Sequence, residues 1–334
     1  MSPGLYKKVD FPEHCGSFQS MKTSAFTLTL SLCLGAACLP VVAEDADWLK
    51  VEEGPKRSAI GHEFGLSHSY TDRGEIDQGD KEVGKLGSQA SKFFYVMTTP
   101  VAEKVALRTG VDYGRYSLDI PDNTLLPNTL QSVAVTLGAD VELSEHWLMR
   151  FEVSPGLYSD FQDISTSDFN APIILGFSYL VDSKLQIVFG LAVDPLFSTK
   201  INGLMDSPAF PGVGVRWQFA DKWTLNAILP EPEIQYDFSD QIQLFAGGRI
   251  KGGSYRVSEH HGSDVGRQDF NNDVVSYQEV RAGVGARYRV HPAVTLEAEL
   301  GYTLERSLRF RNEDGLNYDG GSAPYAQLGL KGKF

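Results

Sequence analysis

Cysteine is missing from most of this 334-residue chain. The three present, Cys15, Cys33 and Cys38, all stand in its first 38 residues. From Leu39 onward no disulfide can brace the fold, so architecture alone must hold it. Long apolar runs are missing too. After Leu39 none approaches the roughly 20 residues that a spanning helix needs. That excludes a bundle of membrane helices. Positive charge is scarce: 30 Lys and Arg stand against 43 Asp and Glu, a net charge of −13. Nucleic acid as a partner is excluded on that balance, because its phosphates require a basic face. Helical periodicity is also scarce beyond Ser58, yet 42% of the residues are hydrophobic, too many for a disordered chain.

The apolar residues that do cluster lie at the front. From Met21 the chain reads MKTSAFTLTLSLCLGAACLPVVAED. A basic start, an apolar run from Ala25 to Leu39 and small residues before Glu44 form the pattern of a secretory signal peptide. The expectation is a leader over 21–43 cut after Ala43, residues 1–20 as an over-extended gene start, and a periplasmic segment over 44–57. Two other readings stand beside it: an N-terminal transmembrane anchor, and a lipoprotein site at Cys38 in LGAACL, where Gly35 occupies the position three before the cysteine.

What fills the rest is alternation. In Leu130–Leu143, Val133, Val135, Leu137, Ala139, Val141 and Leu143 share one face, and Ser132, Ala134, Thr136, Gly138, Asp140 and Glu142 the other. Period two over a dozen residues predicts a strand with one apolar and one polar face. The unit recurs, with six short connections at PVAE, SEH, VDS, AD, SD and HP. Longer or more polar segments separate them, at about 72–89, 119–129, 161–167, 198–207, 259–273 and 312–321, with PEP at 230–232 as a tight exception. Many segments run to about 10–14 residues, whereas strands of soluble proteins centre on about 5–6. Long strands, short turns on one side and an even count predict an all-β, closed, antiparallel up-and-down transmembrane β-barrel of 12–14 strands, most nearly 14, over 58–334. Closure is obligatory, because hydrocarbon satisfies no exposed strand edge. Trp147, Trp217, Trp223 and Tyr288 adjoin short turns, where an aromatic girdle would meet headgroups.

The terminal YAQLGLKGKF, alternating up to a final Phe334, resembles the assembly signal of Gram-negative outer-membrane β-barrels, and the barrel pattern covers about residues 58–334. WTLNAILPEPEIQYDFSDQIQLFAGGRIKGGSYRV also resembles an uncharacterised family of such barrels that carries a P-x-P-x-Y hairpin before a Gly-rich strand. The resemblance implies an outer-membrane location, contact with membrane lipids and lipopolysaccharide, and recognition of Phe334 by the barrel assembly machinery. It implies no activity.

With the apolar face outward, the polar face lines a lumen. Candidate lining residues are Arg108, Asp112, Asp140, Glu142, Arg150, Glu152, Arg216, Arg249, Arg281, Arg287, Arg289, Glu297 and Glu299, joined by Lys251, Lys331 and Lys333. Pairing Glu142 with Leu148 sets Asp140 opposite Arg150. Pairing Val290 with Val294 sets Arg287 opposite Glu297, with Arg289 and Glu299 extending the same charged hairpin. Such walls suit a water-filled pathway for small solutes. They equally suit a lumen plugged by ion pairs, in a structural or interaction barrel.

A hydrolase is the third class considered. His62, Ser67 and His68 share the first strand, but adjacent Ser67 and His68 point to opposite faces and cannot pair. EHHGSD over 259–264 lacks zinc or EF-hand spacing. The acidic loops DRGEIDQGDKE, GSDVGRQDFNND and RNEDGLNYDGG read as solvated surface. No cofactor, metal site or catalytic residue is expected.

Overall fold

The computed structural model describes residues 60–121, 124–196, 209–264, 266–312 and 317–334. The leader readings and all three cysteines lie outside the described residues, as does the whole of the expected segment 198–207.

Seventeen strand segments form one sheet that closes on itself. Three pairs of segments are single strands interrupted by a bend, so the barrel has 14 antiparallel strands. They are β1 (Gly61–Gln78), β2 (Lys81–Ala102), β3 (Val105–Asp119), β4 (Thr129–Glu142) and β5 (Trp147–Val153 with Gly156–Ser159). Next come β6 (Phe169–Asn170 with Ile173–Leu180), β7 (Leu185–Val193), β8 (Ala209–Ala220), β9 (Trp223–Ala227) and β10 (Glu233–Asp237). The last four are β11 (Ile242–Arg256), β12 (Val274–His291), β13 (Val294–Phe310) and β14 (Asn317–Gly320 with Ala323–Lys333). Each strand pairs with the next. β14 closes the ring on β1, from Glu63 opposite Lys333 to Thr71 opposite Tyr325. This is the architecture of an outer-membrane β-barrel.

The facing follows the alternation. Val133, Val135 and Leu137 on β4 are 47%, 46% and 43% exposed on the outside, while Ser132, Ala134, Thr136 and Asp140 are buried inside. An apolar exterior with a polar interior inverts a soluble protein, and only a lipid surround makes it favourable. Trp147, Trp217, Trp223 and Tyr288 are all exposed on the same outer surface. They belong to wider aromatic strings beside the turns: Trp147 lies 5.0 Å from Tyr179 and 6.4 Å from Phe189, and Trp217, Phe219, Trp223 and Tyr236 follow one another at 5.7, 6.4 and 4.7 Å.

All six short turns form, and side chains close several of them. Asp182 accepts from the backbone N–H groups of Lys184 and Leu185, at 2.7 and 2.9 Å. Ser144 and Ser239 each accept from two backbone N–H groups in the same way. On the other side, one expected loop is absent. Residues 72–89 are not a loop: β1 and β2 run on as a hairpin through Gly79 and Asp80. Ile76 and Leu86 explain it, because both turn inward and are fully buried.

That burial belongs to an apolar core within the loop-side half. Ile76, Leu86, Tyr116, Leu118, Leu130, Tyr255, Tyr277, Leu308 and Tyr318 come from the strands, and Leu126, Val257 and Phe270 from the connections 120–128 and 257–273. Opposite this tall wall, β9 and β10 have five residues each. β8 pairs with β9 only from Val215 onward, and β11 pairs with β10 only up to Gly247. The Ile228–Pro232 segment joins β9 and β10 across that step.

Candidate functional site

Toward the turn side of the apolar core, inward-facing charge gathers in three clusters. The first lies on β3–β5. Arg150 donates to Asp140 through Nε at 2.6 Å and through a terminal nitrogen at 3.0 Å, a bidentate contact. Arg108 sits between Glu152 at 3.2 Å and Asp140 at 4.0 Å. The register is the one the tight turn dictates, with Glu142 opposite Leu148 and Asp140 opposite Arg150.

The second cluster spans β10–β13 and the Ile228–Pro232 segment. Arg249 faces four carboxylates: Glu299 at 2.6 Å, Glu231 at 3.0 Å, Glu297 at 3.4 Å and Glu233 at 3.9 Å. Arg287 binds Glu297 at 2.7 Å and Glu233 at 2.8 Å, and also donates to Gln243. The Phe245 ring lies between the two guanidinium groups, 5.4 Å from that of Arg249 and 4.2 Å from that of Arg287. Lys251 donates to Gln327 at 2.7 Å. Buried charges persist only when paired and hydrogen-bonded, and these are.

The third cluster, nearer the loop side, joins Arg281 to Glu279 at 2.8 Å, with Tyr277 donating to the same carboxylate at 2.8 Å. Arg281 also reaches Thr71 at 3.2 Å and stacks over Tyr325 at 4.6 Å. Tyr325 in turn donates to Glu299 at 2.5 Å, which links this cluster to the second.

Of the residues expected on the lumen wall, Arg108, Asp140, Arg249, Arg281, Glu297 and Glu299 are buried inside, and Asp112, Arg150, Glu152, Arg216 and Arg287 are partly buried there. Glu142 and Arg289 stand exposed at the turn-side rim. The β12–β13 hairpin takes the register that sets Arg287 opposite Glu297. In the β12–β13 register Arg289 falls opposite Thr295, and Glu299 falls opposite Gly285. Arg289 donates to the Asp240 carbonyl at 3.4 Å. Sequence reasoning missed Glu231 and Glu233. Their signal was an acid between two prolines, in a tight connection on the loop side.

Three cavities lie along the first two clusters. At the turn-side mouth a space of about 670 Å³ is walled by Arg216, Asp237, Asp240, Arg287, Arg289 and Lys331. A neck of about 30 Å³ follows, lined by Lys92, Glu231, Arg249, Lys251, Glu297 and Lys331. Beyond it a chamber of about 150 Å³ is lined by Glu63, Lys92, Arg108, Asp112, Arg150, Glu152, Tyr158 and Asp194. Mouth and neck share Lys331, and neck and chamber share Lys92 and Phe94.

The described histidines of the first strand and of the 259–264 segment bond to separate partners. His62 and His68 lie on the outer face of β1, bonded to Tyr95 at 2.8 Å and to Ser91 at 2.9 Å, while Ser67 faces inward. His260 turns to Asp163 at 3.4 Å, and His261 to the Leu125 carbonyl at 2.7 Å. Among the described residues no group of three or more His, Cys, Asp or Glu is placed to hold a metal ion.

Comparison with solved structures finds outer-membrane barrels of low similarity. A FadL homologue from Pseudomonas aeruginosa is 11% identical at a TM-score of 0.45, with 90% of this chain and 95% of that one covered. An outer-membrane channel from Pseudomonas putida F1 is 13% identical at 0.43, with 85% and 98% covered. The toluene transporter TbuX from Ralstonia pickettii is 10% identical at 0.36, with 85% and 92% covered. No curated protein matches the chain. One family model matches residues 99–318, about two thirds of the chain, and on that match the protein belongs to the family described as a domain of unknown function, DUF6268.

Proposed function

We propose that this protein is exported by its signal peptide to the outer membrane, where it passes small polar solutes through a charged lumen that is closed at rest. The observation that carries this reading is the run of cavities with charged side chains in their walls, from the turn-side mouth through the neck to the mid-lumen chamber, each sharing wall residues with the next. A barrel built only as a scaffold gains nothing from buried charge, since well-packed apolar side chains of similar volume are as stable or more so. Membrane lipids and lipopolysaccharide would contact the apolar exterior, and the assembly machinery would engage the exposed terminal Phe334.

A non-conducting structural barrel is the second reading. The apolar core in the loop-side half favours it, because those side chains occupy space that an axial pore would need. Refolded protein in planar bilayers decides between the two. The expected result is small, intermittent unitary currents above a closed baseline. Silence at every applied voltage, in bilayers shown to report a known porin, overturns the channel reading.

A further inference from the structure

The neck between mouth and chamber is walled by strand residues with one exception. Lys92, Arg249, Lys251, Glu297 and Lys331 sit on β2, β11, β13 and β14, each fixed by ladder bonds. Glu231 sits on the Ile228–Pro232 strap and is its one charged residue. We propose that this strap is the gate of the lumen, latched shut where Glu231 meets Arg249 at 3.0 Å. The inference rests on the channel reading above and names its moving part.

Three features make the strap separable from the wall. Pro230 and Pro232 have no N–H, so the strap cannot extend the ladder as a strand would. It holds β11 by two bonds that it only accepts, from Gly248 N–H to the Pro232 carbonyl at 2.9 Å and from Ile250 N–H to the Pro230 carbonyl at 3.1 Å. Beneath it Asn226 is fully buried. Its amide reaches the Glu231 carbonyl at 3.5 Å, the limit of a bond, and its Oδ1 has no protein partner. An unmet buried acceptor is a cost carried by the closed state and relieved by opening.

The latch is also redundant from the side of Arg249. When Glu231 leaves, Arg249 keeps Glu299, Glu297 and Glu233. Opening therefore strands no guanidinium group, and the moving carboxylate swings toward a mouth that already carries Arg216, Arg287 and Arg289. A core ion pair with one partner each would not permit this, because breaking it leaves a bare buried charge.

The test is single-channel recording of the refolded wild type and of Glu231→Gln, with Glu145→Gln at the rim as a control. Heat-modifiable gel mobility establishes that each barrel is folded. The expected result is an open probability raised roughly tenfold in Glu231→Gln, and Glu231→Asp between it and the wild type. Glu145→Gln stays at the wild-type value. A conducting wild type whose open probability matches that of a folded Glu231→Gln overturns the gate and leaves the channel reading standing. Silence from every folded variant overturns both.

Discussion

Leu137 points out of the barrel wall, and its neighbour Thr136 points in. Leu137 lies five residues from the end of β4 at Glu142, roughly 10–15 Å along the barrel axis at an ordinary strand tilt, close to the middle of an apolar band about 25 Å tall. Leu137→Arg is expected to destabilise the folded barrel by about 2–4 kcal/mol, the range for a cation at that depth. Urea titration in phospholipid vesicles measures it, and a midpoint within error of wild type would contradict the lipid-facing assignment. At this scale the sequence was informative where alternation and a tight turn coincide. Asp140 against Arg150 followed from the short SEH turn. Arg287 against Glu297 followed in the same way, and that register leaves Glu299 to Arg249, on a strand that hairpin pairing does not reach. Charge across non-adjacent strands depends on barrel curvature, which no local pattern encodes.

The Ile228–Pro232 strap depends on glycine at two contacts. A Cβ on Gly214 of β8 would meet Ile228 Cα at 2.8 Å, and one on Gly247 of β11 would meet the Pro232 carbonyl oxygen at 2.4 Å. Both contacts are with backbone, which has little room to move. Gly247→Ala is expected to lower stability by about 1–3 kcal/mol, the usual cost of overpacking, and to displace the strap from β11. Thermal unfolding and proteolysis at the strap read the two effects, and an unaltered melting temperature with an uncut strap would refute the tight seat. The sequence signalled this connection as an exception, PEP among longer loops, and EIQYDF between PEP and the SD turn already made β10 short, yet nothing marked that β9 stops at five residues. KWTLNAILP alternates like any other strand, and β9 ends at Ala227, three residues before Pro230. The opposite error arose at 72–89. Its acids outnumber its two decisive apolar residues, Ile76 and Leu86, so a buried hairpin looked like a solvated loop.

A transmembrane strand needs only about 9–11 residues, whereas β11–β13 run to 15, 18 and 17. The surplus stands beyond the membrane on the loop side and holds the apolar core, so the molecule is a barrel capped by a small soluble-type interior. The barrel itself was legible from strand length and turn rhythm. The cap was not, since its residues come from strands on both sides of the closing seam and from the connection 257–273. Two buried carboxylates fasten this cap. Asp160 accepts from the N–H of Ser258 at 2.9 Å and of Gln162 at 3.1 Å, and Asp273 from Val274 at 2.7 Å and Asn312 at 3.3 Å. Burial raises the pKa of both above the ordinary carboxylate value, against the pull of those N–H donors. The folded cap therefore holds these protons to higher pH than the unfolded chain does. Their contribution to stability is full below the unfolded carboxylate pKa, near 4, and is lost as pH rises through the raised folded values. Amide hydrogen exchange at Val257, Ser258 and Val274, corrected for the intrinsic rate, is expected to show protection falling as pH rises through that window. Asp160→Asn with Asp273→Asn should flatten the slope. Protection that instead rises with pH in the wild type would mean that the two carboxylates are stabilised as anions, and that the N–H donors outweigh burial in the cap.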